Sequence, residues 1–248
     1  MNRTIVVPLE KAGEIEAAGG KAASLARLIR AGFRVPQGFV ITTGSEMKMN
    51  SGLEAQILDK FDKMGVETVA VRSSAVAEDG KNDAWAGQFD TFLNIKRPEL
   101  IETIKKCWGS TESERAKAYA KNKSIKSGAV AVIVQEMVPS DVAGVAFSVH
   151  PVTQNKSQAV IEAVRGLGEG LVSGKITPDT YVVAKDTFGF IESSLSGDKP
   201  ILGESKLIDI TQQIIKIEAL YGFPVDVEWA LANGRSYILQ SRPITTLS

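Results

Sequence analysis

Residues 225–244 read VDVEWALANGRSYILQSRPI, and this run constrains the fold more than any other part of the chain. Apolar Val225, Val227 and Trp229 alternate with Asp226 and Glu228, the period-two signature of a half-buried strand. Asn233-Gly234 is a two-residue turn signal, and a second strand follows it. The run therefore predicts an antiparallel hairpin with one buried face. On simple parity Ser236, Gln240 and Arg242 share a face of the return strand. Glu and a Gln carbonyl are oxygen ligands that suit Mg2+, which usually takes further ligands from substrate phosphates. A half-exposed hairpin with a polar outer face gives the same pattern. Register separates the two readings. A plain two-residue turn sets Glu228 opposite Leu239 and leaves Gln240 on the other face. If Glu228 and Gln240 share one metal, the connection must hold an odd number of residues or a bulge must intervene. One of these is expected.

A second informative run is VAVRSSAVAEDGKNDAWAGQFDTFLNI, residues 69–95. Its opening apolar strand ends in Arg72, whose planar fork suits phosphate oxygens and equally suits a structural ion pair. Gly87 and Thr91 bracket the return of the loop. They offer close backbone approach and a hydroxyl, or an ordinary turn and strand. Lys21 follows Gly19-Gly20 at the start of a helix, where backbone N–H groups attract anions; Gly-Gly-Lys alone reads more simply as a surface lysine after a turn. The spacing of a Walker loop is absent.

The remaining segments alternate irregularly between the two periods. GGKAASLARLIRAGF predicts a loop and a helix stopped by Gly32, and VPQGFVITT a short strand. Residues 45–64 predict a helix with Leu53, Ile57 and Phe61 on one face. RPELIETIKKCWGS and SERAKAYAKN predict two more helices, the latter capped by Ser113. GAVAVIVQEMV predicts a strand, and the second half is mostly strand with one helix, DITQQIIKIEALYG. The expected class is α+β, a single domain of residues 1–248 in two lobes, about 1–136 and 137–248.

Lys+Arg and Asp+Glu are both 29, so no strong net charge points to nucleic acid or a membrane surface. A single cysteine excludes an internal disulfide, and Cys107 reads as a small apolar residue on a helix. No apolar run reaches the ~18 residues of a membrane span. No signal-peptide core opens the chain, so a cytoplasmic location is expected.

Seven stretches in order resemble one family: GGKAASLARL, VPQGFVIT, the 69–95 run, VIVQEMV, GVAFSVHPVT, GLGEGLVSGKITPDTYVV and VEWALANGRSYILQSRPIT. The chain is similar to the N-terminal ATP-binding domain of the phosphoenolpyruvate synthase and pyruvate phosphate dikinase family, shared with rifampicin phosphotransferases. The resemblance implies an ATP-grasp fold with ATP in a cleft between two lobes. It implies that Lys21, Arg72, Gly87 and Thr91 contact the phosphates. Gln135 would lie close to the nucleotide, with Glu136 and Met137 beside the adenine. Glu162 is a candidate for the ribose. Glu228 and Gln240 would hold Mg2+, and Arg242 would bind phosphate. Lys21, Arg72 and Arg242 are then the expected catalytic groups.

The implied chemistry is phosphoryl transfer from ATP to a histidine on a swivelling domain. The Thr-Cys-His motif of that domain and the pyruvate-binding barrel are missing here. The only histidine, His150, stands in SVHPVT and reads as a surface turn residue. The segments between Thr43 and Val69 and around 108–128 are short for the family. Three readings follow: a phosphotransferase half working with a histidine-bearing partner chain, an ATP-binding sensor, or a fragment of a longer phosphotransferase.

Overall fold

In a computed structural model, which describes residues 6–43, 49–75, 91–109 and 130–244, the chain divides into two compact units. The first comprises Met1–Ala31 and Pro36–Met137. The second comprises Gly32–Val35 and Val138–Ser248.

The first unit is built on a five-stranded antiparallel sheet in the order β1-β2-β5-β3-β4. Its strands are β1 (Val6–Pro8), β2 (Gly38–Ile41), β3 (Val69–Ala75), β4 (Thr91–Ile95) and β5 (Val130–Glu136). Central β3 and β5 are buried on both faces because helices cover both. Val69, Val71, Val132 and Val134 form one face. They pack with Leu53, Ile57 and Phe61 of α2 (Ser51–Met64) and Leu100, Ile104 and Cys107 of α3 (Leu100–Gly109). Cys107 is fully buried there, as its apolar neighbours require. The other face lies against α1 (Ile15–Arg30).

The start of α2 differs from the expected 45–64. Asn50 is extended and its Oδ1 accepts a hydrogen bond from Leu53 N at 2.9 Å, so cap chemistry fixes the first turn at Ser51. Gly65, at φ 65°, ends the helix. The predicted helix around Ser113 falls outside the described residues. Strand β1 went unpredicted because three residues ending in proline carry no readable period.

The second unit is a six-stranded antiparallel sheet in the order β11-β10-β6-β7-β8-β9. These are β6 (Val142–Phe147), β7 (Gln158–Arg165), β8 (Asp179–Ala184), β9 (Phe190–Ser194), β10 (Val225–Ala232) and β11 (Arg235–Pro243). A short α4 (Glu169–Val172) follows β7. The long α5 (Glu204–Tyr221) packs across β6, β7 and β10 through Leu207, Ile210, Ile214 and Ile217. The Thr211 hydroxyl on that buried side has no hydrogen-bond partner. Replacing it by an isosteric methyl removes an unsatisfied group, so Thr211→Val is expected to raise the unfolding free energy by about 1 kcal/mol. Chemical denaturation checks this, and a loss of stability would instead reveal a hidden partner for the hydroxyl.

Candidate functional site

The hairpin resolves the register question. Asn233 and Gly234 sit at φ 50° and 70°, and Ala232 pairs with Arg235, so the turn has two residues. Pairing runs regularly to Trp229↔Ile238 and then shifts, so that Glu228 faces Gln240. Leu239 is the inserted residue of a β-bulge. The bulge brings Glu228 and Gln240 to one face as direct cross-strand neighbours.

It also corrects the parity reading of Ser236. Ser236 pairs with Leu231, on the face of Val225, Val227 and Trp229. Its hydroxyl donates to Asp209 Oδ2 at 2.8 Å and accepts from Gln213 Nε2 at 2.6 Å, both on α5. Ser236 therefore lies on the opposite face from Gln240, because the inserted Leu239 reverses the alternation.

The rest of the polar face follows from the ladders. Val145 pairs with Glu228 on one side and Glu162 on the other, so Gln240, Glu228, Val145 and Glu162 form a row across four strands. The next row begins Arg242, Asp226, Phe147. Arg242 Nε and Nη2 both reach Asp226 Oδ2 at 2.8 Å, which orients the guanidinium. Burial raises the Asp226 carboxyl above its ordinary value; Arg242 pulls it down and the Glu228 charge adds to the rise. Burial, and then the Asp226 charge, raise the Glu162 carboxyl. Asp226 was absent from the expected site residues, although its spacing from Glu228 marked it.

Among the described residues, no group of three or more His, Cys, Asp or Glu is placed to hold a metal ion by itself. The Glu228 carboxylate and the Gln240 amide oxygen still fit Mg2+, which commonly completes its shell from phosphates and water.

In the first unit, Arg72 pairs directly with Thr91 on β4 and with Ile133 on β5. Gln135 pairs with Ala70, two residues along. Arg72, Thr91 and Gln135 thus share the sheet face that carries α1. Gln135 is 1% exposed, and its Nε2 has no hydrogen-bond partner. Such a buried donor is costly unless something accepts from it. Glu136 lies on the opposite face of β5. The backbone N–H groups of Glu136 and Met137 donate to Gln37 O and Thr68 O.

The helix that carries Lys21 is anchored in the same region by Gly19 and Ala22 against Ser74, contacts the sequence did not indicate. Gly19 breaks α1 at φ 77°, so the regular helix begins around Lys21. Ser74 Oγ accepts from Ala22 N at 3.2 Å. A Cβ on Gly19 would stand 2.2 Å from Ser74 O. Glycine is required there both for the positive φ and for the close approach. The start of the Lys21 helix is therefore seated on the end of the Arg72 strand. Gly87 lies outside the described residues.

His150 is held in its turn, with Nδ1 accepting from the N–H groups of Val152 and Thr153, each at 3.3 Å. Among the described residues, no helix is long and apolar enough to cross a membrane.

Residues 44–201 and 195–248 match the family described as "Pyruvate phosphate dikinase, AMP/ATP-binding domain". The "Probable phosphoenolpyruvate synthase" of Methanocaldococcus jannaschii is 33% identical, across 94% of this chain and 26% of its own. The "Uncharacterized phosphotransferase YvkC" of Bacillus subtilis is 34% identical, across 93% of this chain and 34% of its own. The chain thus spans well under half the length of these relatives. A D-alanine–D-alanine ligase structure from Bacillus anthracis aligns at TM-score 0.49 and 12% identity, over 90% of this chain and 55% of its own.

Proposed function

The chain belongs to the pyruvate phosphate dikinase AMP/ATP-binding domain family, and from that premise we propose that it is an ATP-grasp phosphotransferase module. It binds Mg-ATP and passes a phosphoryl group to a histidine on a separate domain or partner chain. The observation that carries this reading is the bulge at Leu239, which sets Glu228 opposite Gln240. A hairpin with a merely polar outer face needs no such insertion.

Each residue takes one role in this reading. Lys21, at the start of its helix, and Arg72, at its strand end, take phosphate oxygens. Thr91, the cross-strand neighbour of Arg72, adds a hydroxyl, and Gly87, outside the described residues, is assigned to the phosphates by the family resemblance alone. The unpartnered Gln135 amide donates to the nucleotide, and the Glu136–Met137 stretch lies beside the base. Glu162 takes the ribose. Glu228 and Gln240 hold Mg2+, and Asp226 keeps Arg242 aimed for phosphate. Bound magnesium would neutralise and orient phosphate oxygens.

Phosphoryl transfer depends on positioning and charge neutralisation, so no nucleophile is required from this chain. The engaged Nδ1 of His150 fits an acceptor histidine elsewhere.

Calorimetric titration with ATP, with and without Mg2+, tests the proposal. Mg2+ is expected to tighten binding, and Glu228→Ala to reduce that gain at least tenfold, about 1.4 kcal/mol. Failure of the folded protein to bind ATP, or a Glu228→Ala variant with an undiminished Mg2+ gain, would sink it.

A further inference from the structure

Strand β11 is a sheet edge, and its bulge has no second strand to fix it. An unbulged pairing with the same turn would turn Gln240 toward α5, away from Glu228. Something must favour the bulged register, and the segment Gly32–Val35 is suitably placed. Arg34 O accepts from Ile238 N at 2.8 Å, and Arg34 Nη1 reaches Ser236 O at 3.4 Å. The guanidinium stands 5.7 Å from the centroid of the Tyr237 ring, within cation–π range. Tyr237 and the bulge residue Leu239 pack on the same small apolar cluster, formed by Val138, Ala143, Ala230 and Ala232.

Backbone, guanidinium and ring contacts thus all fall on residues 236–238, immediately before the inserted residue. We propose that Arg34 is a positioning residue for Gln240: it pins the outer edge of β11 so that the bulge falls at Leu239. The inference rests on the reading that Glu228 and Gln240 share the Mg2+ of Mg-ATP. Arg34 itself touches neither group. Its effect is transmitted through Tyr237 and the β11 backbone, in the way outer-shell partners commonly orient metal ligands.

The test compares Arg34→Ala and Arg34→Lys with the unaltered chain by ATP calorimetry with and without Mg2+. Amide exchange at Ile238 and the cross-strand nuclear Overhauser contacts between residues 228 and 240 are measured alongside. Arg34→Ala is expected to lose about tenfold of the Mg2+-dependent gain. Its Mg2+-free affinity should fall by less, through Arg242 beyond the bulge on the same strand, and its unfolding midpoint should change little. Ile238 should exchange faster, the 228–240 contacts should weaken, and Arg34→Lys should recover part of the loss by keeping a cation over the ring.

An unchanged Mg2+ gain in Arg34→Ala, or equal weakening with and without Mg2+, overturns the positioning role. If the unaltered chain shows no Mg2+ gain, the Mg-ATP reading fails instead. The cross-strand contacts then decide the structural claim: their persistence in Arg34→Ala overturns it, and their loss upholds it.

Discussion

Gly144→Ala is expected to destabilise the second unit by about 3 kcal/mol or more, at the upper end of overpacking costs. Gly144 lies on β6, between β10 and β7, where it pairs with Trp229 and Ala163. A Cβ there would stand 1.8 Å from the Glu162 carbonyl oxygen and 2.6 Å from Trp229 Cζ2. The first obstacle is backbone of the neighbouring strand, so no rotamer change relieves it. The second is an indole ring 1% exposed, with close-packed neighbours. Relief requires parting β6 from β7, which disrupts the ladder carrying Val145 between Glu228 and Glu162. The unfolding temperature should therefore fall by roughly 10 °C, and the Mg2+-dependent part of ATP binding should fall with it. A midpoint matching the unaltered chain would mean that the strands slide apart at little cost.

How much of this could be read in advance differs between the two faces of one hairpin. Period-two alternation and Asn233-Gly234 identified the strands and the turn, because both signals are local. The bulge was not local. Leu239 sits between Ile238 and Gln240, so an inserted apolar residue leaves no irregularity in an apolar run. Only the requirement that Glu228 and Gln240 meet pointed to it. Ser236 was assigned to the wrong face for the same reason, since parity counts residues and a bulge spoils the count. The seat of Gly19 and Ala22 on Ser74 was equally hidden. Gly19-Gly20 announced a loop, but not which strand the glycine would touch. Strand β9 escaped because Phe190–Ser194 is exposed along its whole length, so no buried face imposes a pattern. Helix α2, in contrast, was legible from Leu53, Ile57 and Phe61 because one face is buried. Only its start was lost, to the competing chemistry of the Asn50 cap.

Asp179→Ala is expected to cost on the order of 3–5 kcal/mol, because it orphans several donors at once. Asp179 is fully buried. One carboxylate oxygen accepts from the N–H and hydroxyl of Ser196, both at 2.7 Å, and the other from Ile201 N and Tyr181 Oη, both at 2.8 Å. Tyr181 Oη in turn accepts from Ile201 N and Leu202 N. These bonds tie the connection between β9 and α5 to β8, and α5 braces the back of the strand that bears Glu228.

The sign of the pH dependence follows from the same contacts. Burial alone would raise the Asp179 carboxyl; the bonds from Ser196, Ile201 and Tyr181 outweigh it and bring the group below its ordinary value. A depressed folded value stabilises the fold at pH above the unfolded value, about 3.9. That contribution is lost as pH falls from there through the folded value. Asp226 and Glu162 are shifted the opposite way, so acid relieves part of their cost. Asp179→Asn isolates the effect, since those two groups cancel in the comparison. Chemical unfolding from pH 7 to pH 3 should show a large deficit for Asp179→Asn that narrows below about pH 4. A deficit of constant size down to pH 3 would mean that the Asp179 charge contributes nothing, and that the hydrogen-bond geometry alone holds the connection.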